Sequence, residues 1–322
     1  MATTRLYRAG TLVKEGFPVA EISDHIEAKD CTVWADFINP SEEDLADIEE
    51  ELGLHHLAVE DAVTDFQRPK LDRYDTHLFL VAYAVTLDDQ TGELHTSEVK
   101  AFITPHALIT VHEADFDMNK VVAYWESDVD LAQHGVAFLL WGLLDFIVDG
   151  HFDTVQLLDG QIEELEDALF DERPREREVQ RRSFELRKSL VLFRRAVLPM
   201  REVVNTLMRR DLDAIDTSMQ PYFQDVYDHV LRATEWTESL RDLVTTILET
   251  NISIQGNRMN LIMKKVTSWA AIIAVPTAIT GFFGQNLLFP GYGSFWGVLI
   301  STGLIVIVGL ALYWSFRRRD WL

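Results

Sequence analysis

Apolar positions along this chain follow one rhythm in the first third and another in the rest. In the first third they come in short runs rich in β-branched and aromatic side chains: CTVWADFI (31–38), HLFLVAYAV (77–85), EVKAFITP (98–105) and ALITVHE (107–113). Runs of this length and composition predict strands. Pro105-His106 sits where a hairpin turn would join the last two. PSEEDLADIEEELGL predicts a helix with Ser41 as its N-cap, acids in its first turn and Gly53 as its stop. Strands interleaved with helices predict an α/β domain.

From about residue 118 the strand signal disappears. VAFLLWGLLDFIV (136–148) is too short to cross a bilayer before Asp145 interrupts it, so it reads as a buried helix of the soluble body. Residues 152–170 and 175–210 combine dense charge with helical apolar spacing, and Pro174 separates them. They predict two long antiparallel helices. A third helix begins after Pro221, with apolar residues at Phe223, Val226, Tyr227, Val230 and Leu231 and again at Leu240, Leu243, Val244, Ile247 and Leu248. No other proline occurs until Pro276, so a continuous helix to Gly284 would be roughly 95 Å long. Such a helix predicts packing against copies of itself.

The pattern changes a last time at Val266. From there to Phe316 runs a stretch of 51 residues without Asp, Glu, Lys, Arg or His. It holds two helices of membrane-spanning length, 266–284 and 295–316, joined by QNLLFPGYGS with its turn-forming Pro290, Gly291 and Gly293. Lys264 and Lys265 precede the first span, Arg317, Arg318 and Arg319 follow the second, and the connecting loop is uncharged. Basic flanks stay in the cytoplasm, so both termini and the whole body are expected there.

Charge sharpens this division. The 322-residue chain carries a net −23, yet residues 261–322 hold five Lys or Arg against one Asp. The acid is therefore confined to the body. A body so acidic excludes a nucleic-acid partner, because phosphate binding needs clustered Lys and Arg. It is compatible with metal cations or with plain solubility. Cys31 is the single cysteine, so no internal disulfide forms. The start MATTRLYRAG lacks the pattern of a signal peptide.

Near the membrane, one face of the long helix reads Asn260, Met263, Thr267, Ala270, Ala274, Thr277 and Gly281, in steps of three and four. Small neutral residues on such a face serve close helix packing or line a narrow passage. GFFGQN (281–286) closes the stripe with two glycines and two amides inside an uncharged segment, and suits contact with water and an ion.

Here the chain resembles the CorA family of divalent-cation channels. The resemblance rests on FGQN closing the first span, the tail RRRDWL, PYFQDVYDH (221–229) opening the long helix, NLIMKKVT and VPTAITG before the motif, and FQRPKLDRY (66–74). It implies a homopentamer with a cytoplasmic αβα funnel domain (1–150), long "willow" helices (151–220), the cytoplasmic part of a stalk helix (221–264), a pore-lining span (265–286), an outer loop (287–294), a second span (295–316) and a basic tail (317–322). It implies Mg2+ as cargo, with Co2+ and Ni2+ as others, and no organic cofactor. It places Gly284, Gln285 and Asn286 at the selectivity signature, with Asn286 ringing the outer mouth. Thr277, Ala274, Val266, Met263 and Asn260 would line the pore, Met263 and Val266 would form its apolar constriction, and Glu249 would form an inner acidic ring. Asp88 and Asp225 would hold a regulatory Mg2+ between neighbouring subunits. Two features depart from the family: Gln285 stands where it usually has Met, and LLFPGYGSF lacks its outer acid. A zinc transporter of the ZntB type and a non-conducting membrane-anchored sensor are the competing expectations. No phosphate loop or nucleophile elbow occurs, so no enzyme activity is expected. His55-His56 with Glu60 is read as structural, because adjacent helical side chains point apart.

Overall fold

The computed structural model describes residues 2–26, 30–88, 92–128, 130–170, 176–209, 215–285 and 293–322. The chain divides into two compact units, Met1–Ile247 and Leu248–Leu322.

The first unit is built on one sheet of seven strands: β1 (Ala2–Arg8), β2 (Thr11–Glu15), β3 (Cys31–Ile38), β4 (Lys70–Arg73), β5 (Leu78–Leu87), β6 (Leu94–Ile103) and β7 (Ala107–His112). Their order across the sheet is β2-β1-β3-β7-β6-β5-β4. Only β3 and β7 run parallel; every other neighbouring pair is antiparallel. The expected hairpin joins β6 to β7, closed by the Thr104 N–H donating to Ala107 O at 2.9 Å.

Side chains alternate across the pleat, and both faces are covered. Val33, Phe79, Phe102 and Ile109 face α1 (Ile22–Ile26), α2 (Glu42–Leu52) and α3 (His56–Val63). Trp34, Leu80, Ala101 and Leu108 face the other way, toward α4 (Met118–Ser127), α5 (Val136–Leu169), α6 (Glu176–Leu207) and the first turns of α7 (Gln220–Phe283). The result is a three-layer αβα unit. Burial on both faces explains why the central strands read as nearly unbroken apolar runs.

Local chemistry fixes the helix ends. Ser41 caps α2 as expected: its Oγ accepts from the Asp44 N–H, and its own N–H donates to Asp44 Oδ2 at 2.8 Å. Those hydrogen bonds hold the Asp44 carboxyl below its ordinary pKa. Gly53 ends α2 in the left-handed conformation, φ 60°. His55 caps α3, its Nδ1 accepting from Leu57 N–H at 3.2 Å, which agrees with a structural role for that histidine.

Two findings go beyond the sequence pattern. The run at 136–148 and the segment at 152–170 are one continuous 34-residue helix, α5, so residue 150 lies inside an element. Three strands, β1, β2 and β4, carry no clear alternation; β2 is exposed along its whole length and β4 is a four-residue edge. The second unit holds the remainder of α7 and α8 (Phe295–Arg318). Both helices contain stretches long and apolar enough to cross a membrane, and those stretches are scarcely buried.

Candidate pore face and acidic cluster

At about 100° per residue, Glu249, Asn260, Met263, Val266, Thr267, Ala270, Ala274, Thr277, Gly281, Gly284 and Gln285 fall within an arc of about 120° on one side of the helical path. All of them are exposed, with Met263 at 56% and Val266 at 59%. The opposite side behaves differently. Ser268 is fully buried, and Ala271, Ile272, Val275, Pro276 and Ile279 are half-buried. The exposed side of α7 is wider than the stripe, since Ile262, Trp269 and Ile273 beside it are exposed at 54%, 52% and 64%; the stripe is the neutral, small-residue part of that uncovered side.

The hydroxyls on this segment are tied to the backbone. Thr277 Oγ1 donates to Ile273 O at 2.9 Å, and Thr280 Oγ1 donates to Pro276 O at 2.9 Å. Donation inward leaves the oxygen lone pairs pointing away from the helix as acceptors. Gly284 closes the helix, its N–H donating to Thr280 O at 2.8 Å, and a Cβ there would come 3.0 Å from that same oxygen. Gly281 has nothing within 4 Å of where a side chain would start. Asn286 and residues 287–292 lie outside the described residues. At the other end of the stripe, Asn257, Asn260, Met263, Lys264 and Thr267 border a recess of about 540 Å³ together with Trp321. The tail folds back there: Trp321 stacks on Phe316 with ring centroids 5.7 Å apart, and its backbone N–H donates to Phe316 O at 3.0 Å.

A second constellation lies in the first unit, where α5 meets the start of α7. Asp145, Asp149 and His229 each offer one ligand atom, all within 4.8 Å of one another. His229 Nδ1 is 4.0 Å from Asp149 Oδ1 and 3.9 Å from Asp225 Oδ2. Tyr124 on α4 donates its hydroxyl to Asp145 Oδ2 at 2.6 Å. Burial raises the Asp145 carboxyl pKa, and the charge of Asp225 adds to that rise against the opposing Tyr124 hydrogen bond. Burial likewise raises Asp149, with the Asp145 charge next in importance. Three carboxylates facing one imidazole are short of positive charge, and hard oxygen donors at this spacing suit a divalent cation that keeps some of its water.

Asp225 thus sits among ligand-type groups, but Asp88 does not join it within the chain. Asp88 exchanges backbone hydrogen bonds with Glu93 and Gly92 at the β5–β6 turn, and Gly92 lies against Gln161 of α5. Gln161 is twelve residues, about 18 Å of helix, beyond Asp149. Sequence reasoning missed Asp145, Asp149 and His229. Their signal was a pair of i,i+4 spacings, Asp145/Asp149 on α5 and Asp225/His229 on α7.

A family model described as CorA-like Mg2+ transporter protein matches residues 29–318. The chain belongs to this family. Among CorA relatives, the cobalt/magnesium transport protein CorA of Thermotoga maritima is 29% identical over 274 residues, covering 84% of this chain and 77% of that protein. The complete structure of the CorA magnesium transporter from Methanocaldococcus jannaschii superimposes with a TM-score of 0.80 at 23% identity, covering 100% of this chain and 99% of the other. The zinc transport protein ZntB of Yersinia pseudotuberculosis matches more weakly, 22% identical over 79% of this chain and 77% of its own length.

Proposed function

We propose that the chain is one subunit of a homopentameric cell-membrane channel that admits Mg2+, with Co2+ and Ni2+ as further cargo. The observation that carries this reading is the uncovered neutral stripe of α7, which runs from Asn260 to Gln285 in a chain matched by the CorA family along almost its whole length. Five copies of that face around an axis would line a passage. The basic flanks at Lys264–Lys265 and Arg317–Arg319 support two spans with both termini in the cytoplasm.

The chemistry of the stripe suits a hydrated divalent ion. Mg2+ releases its waters reluctantly. Those waters point their hydrogens outward, so a lining of acceptors holds the hydrated ion without stripping it. Asn260, Thr277, Gln285 and Asn286 supply neutral oxygens for that purpose, and the carbonyl of Gly284 is shielded by no side chain of its own. Neutral acceptors also bind weakly enough for the ion to leave, as conduction requires. In this reading Met263 and Val266 form the narrow apolar collar, Ala274 keeps the bore open, and Glu249 gathers cations at the inner end.

Regulation follows from the acidic cluster. Asp225 would be the shared ligand, with Asp145, Asp149 and His229 beside it in the same chain and Asp88 reaching it from the neighbouring one. Without metal these carboxylates repel; a divalent ion joins them and favours the closed ring.

The test is flux. Purified protein in liposomes loaded with a Mg2+ indicator should admit Mg2+ from outside, and Asn286→Ala should abolish selectivity over Ca2+. Gln285 in place of Met supports a second reading, a zinc transporter of the ZntB type. Zn2+ flux well above Mg2+ flux would select it, and no flux of either would leave a metal sensor.

A further inference from the structure

The tip of the β1–β2 hairpin reaches the segment that joins α4 to α5. Two glycines permit close contacts there. A Cβ on Gly10 would stand 2.7 Å from the Ala132 backbone, and one on Gly135 would stand 2.7 Å from Thr32 Oγ1. Both contacts border a recess of about 220 Å³, whose main walls are Tyr7, Leu12, Trp125, Ala132, Phe138 and Leu139.

The walls are apolar in area, yet they carry hydrogen-bond donors that lack acceptors. Trp125 is 3% exposed, and its Nε1–H has no partner among the described residues. The pyrrole edge bearing that N–H lies against Gly142 of α5, one turn beyond Phe138. The buried Tyr7 hydroxyl has no partner either. Burial raises the Tyr7 pKa, so the phenol keeps its proton. Arg5 beside it is itself a donor, bonded at 2.8 Å to both Glu15 and Glu126, and offers the hydroxyl hydrogen no acceptor. The first turn of α5 adds more donors. Gly135 precedes it without a side-chain cap, so its leading N–H groups have no partner within the helix. Buried donors left unpaired are costly, and three elements supply them around one recess.

Size and chemistry define what would fit. An apolar cavity of roughly 150 Å³ takes a benzene ring, so this recess suits one ring with a short substituent. Donors without acceptors call for an acceptor atom on the ligand. Arg5 is shared between two carboxylates, which leaves the rim with an excess of negative charge and disfavours an anion.

We propose that the cleft between the β1–β2 hairpin and the start of α5 binds a small neutral aromatic molecule whose carbonyl oxygen accepts from Tyr7 and Trp125. Both donor atoms are closed to solvent in the free chain, so the entering ring turns these two side chains toward itself. The site stands apart from the neutral stripe and the acidic cluster and does not depend on the transport reading.

Full-length protein in detergent, photolabelled with 4-azidoacetophenone, provides the test. Label should appear in peptides from residues 5–12 or 124–139. At matched free concentrations, acetophenone should displace it about fivefold more tightly than α-methylstyrene, which has the same shape with a methylene in place of the carbonyl oxygen. Benzoate should displace it more weakly than acetophenone. Tyr7→Phe should remove most of the preference for the ketone and leave α-methylstyrene unchanged. Thermal unfolding of that variant should stay equal or rise, because the substitution deletes an unpaired buried hydroxyl. Label confined to other segments, equal displacement by acetophenone and α-methylstyrene, tighter displacement by benzoate, or a Tyr7→Phe protein that keeps the full preference would each overturn the proposal.

Discussion

His112 ends a buried line of polar side chains. Trp34 Nε1 donates to Thr110 Oγ1 at 3.0 Å, Thr110 donates to Asp36 Oδ1 at 2.5 Å, and Asp36 Oδ2 lies 3.2 Å from His112 Nε2. The other ring nitrogen is 2.6 Å from Glu113 O. Both ring nitrogens therefore face acceptors, and only the imidazolium satisfies both. Burial alone would lower the His112 pKa, but the Asp36 hydrogen bond and charge outweigh it and hold the pKa above its ordinary value. A folded pKa above the unfolded one means the native state keeps its proton longer. The stabilisation is complete below about pH 6.5 and disappears as pH rises through the folded value. Asp36→Asn, whose amide can donate to a neutral imidazole, should flatten this dependence. Melting temperatures of both proteins between pH 5.5 and 9 check it: the parent should lose its advantage toward the alkaline end, and parallel curves would refute the assignment.

At the scale of elements, α5 offers an internal comparison. A Cβ on Gly142 would lie 2.6 Å from Trp125 Cδ1 and Nε1, and Trp125 is itself locked edge-on against Trp34 at 5.2 Å. Gly160, eighteen residues on in the same helix, has open space around it. Alanine in place of glycine gains about 1 kcal/mol of helix propensity at either site. At Gly142 an overpacking cost of roughly 1–3 kcal/mol opposes it. Gly160→Ala should therefore raise the melting temperature and Gly142→Ala should leave it unchanged or lower it; equal gains at both would show that Trp125 yields. The same helix shows what sequence pattern conveys. Its apolar run and Asp145 were visible, and so were β3, the α2 cap and the two apolar spans, because each depends on local chemistry. Its continuity through residue 150 was not, because Gly150 and His151 interrupt the pattern while packing under β5, where His151 Nε2 donates to Tyr83 O at 2.7 Å, keeps the helix whole. The i,i+4 acids became a cluster only once α5 and α7 were side by side.

For the whole molecule, the decisive feature is the division of charge: a strongly acidic body and a weakly basic pair of apolar helices, with α7 belonging to both. In the proposed reading, a cation that ties acids of the body together would act on the same helix that carries the neutral stripe. In the proposed pentamer, moving a two-state ring from nearly all open to nearly all closed would take about 5.5 kcal/mol, or about 1 kcal/mol from each of five subunits. On that proposal, one divalent ion relieving the repulsion around Asp225 would supply a share of this size. Protons would compete for the proposed site, since burial raises the pKa of both Asp145 and Asp149 above the ordinary carboxylate value. Mg2+ should therefore protect the full-length protein from limited proteolysis at pH 7.5, and need a higher concentration to do so as pH falls toward 5. Asp225→Ala and Asp145→Asn should each raise the Mg2+ concentration for half-protection at least tenfold and leave liposome flux active when internal Mg2+ is high. Asp88→Ala separates the two halves of the site: closure that survives this change and fails with Asp225→Ala assigns control to the α5–α7 cluster alone. Closure that survives every one of these substitutions would mean that the acids of the body solvate the protein and do not govern the pore.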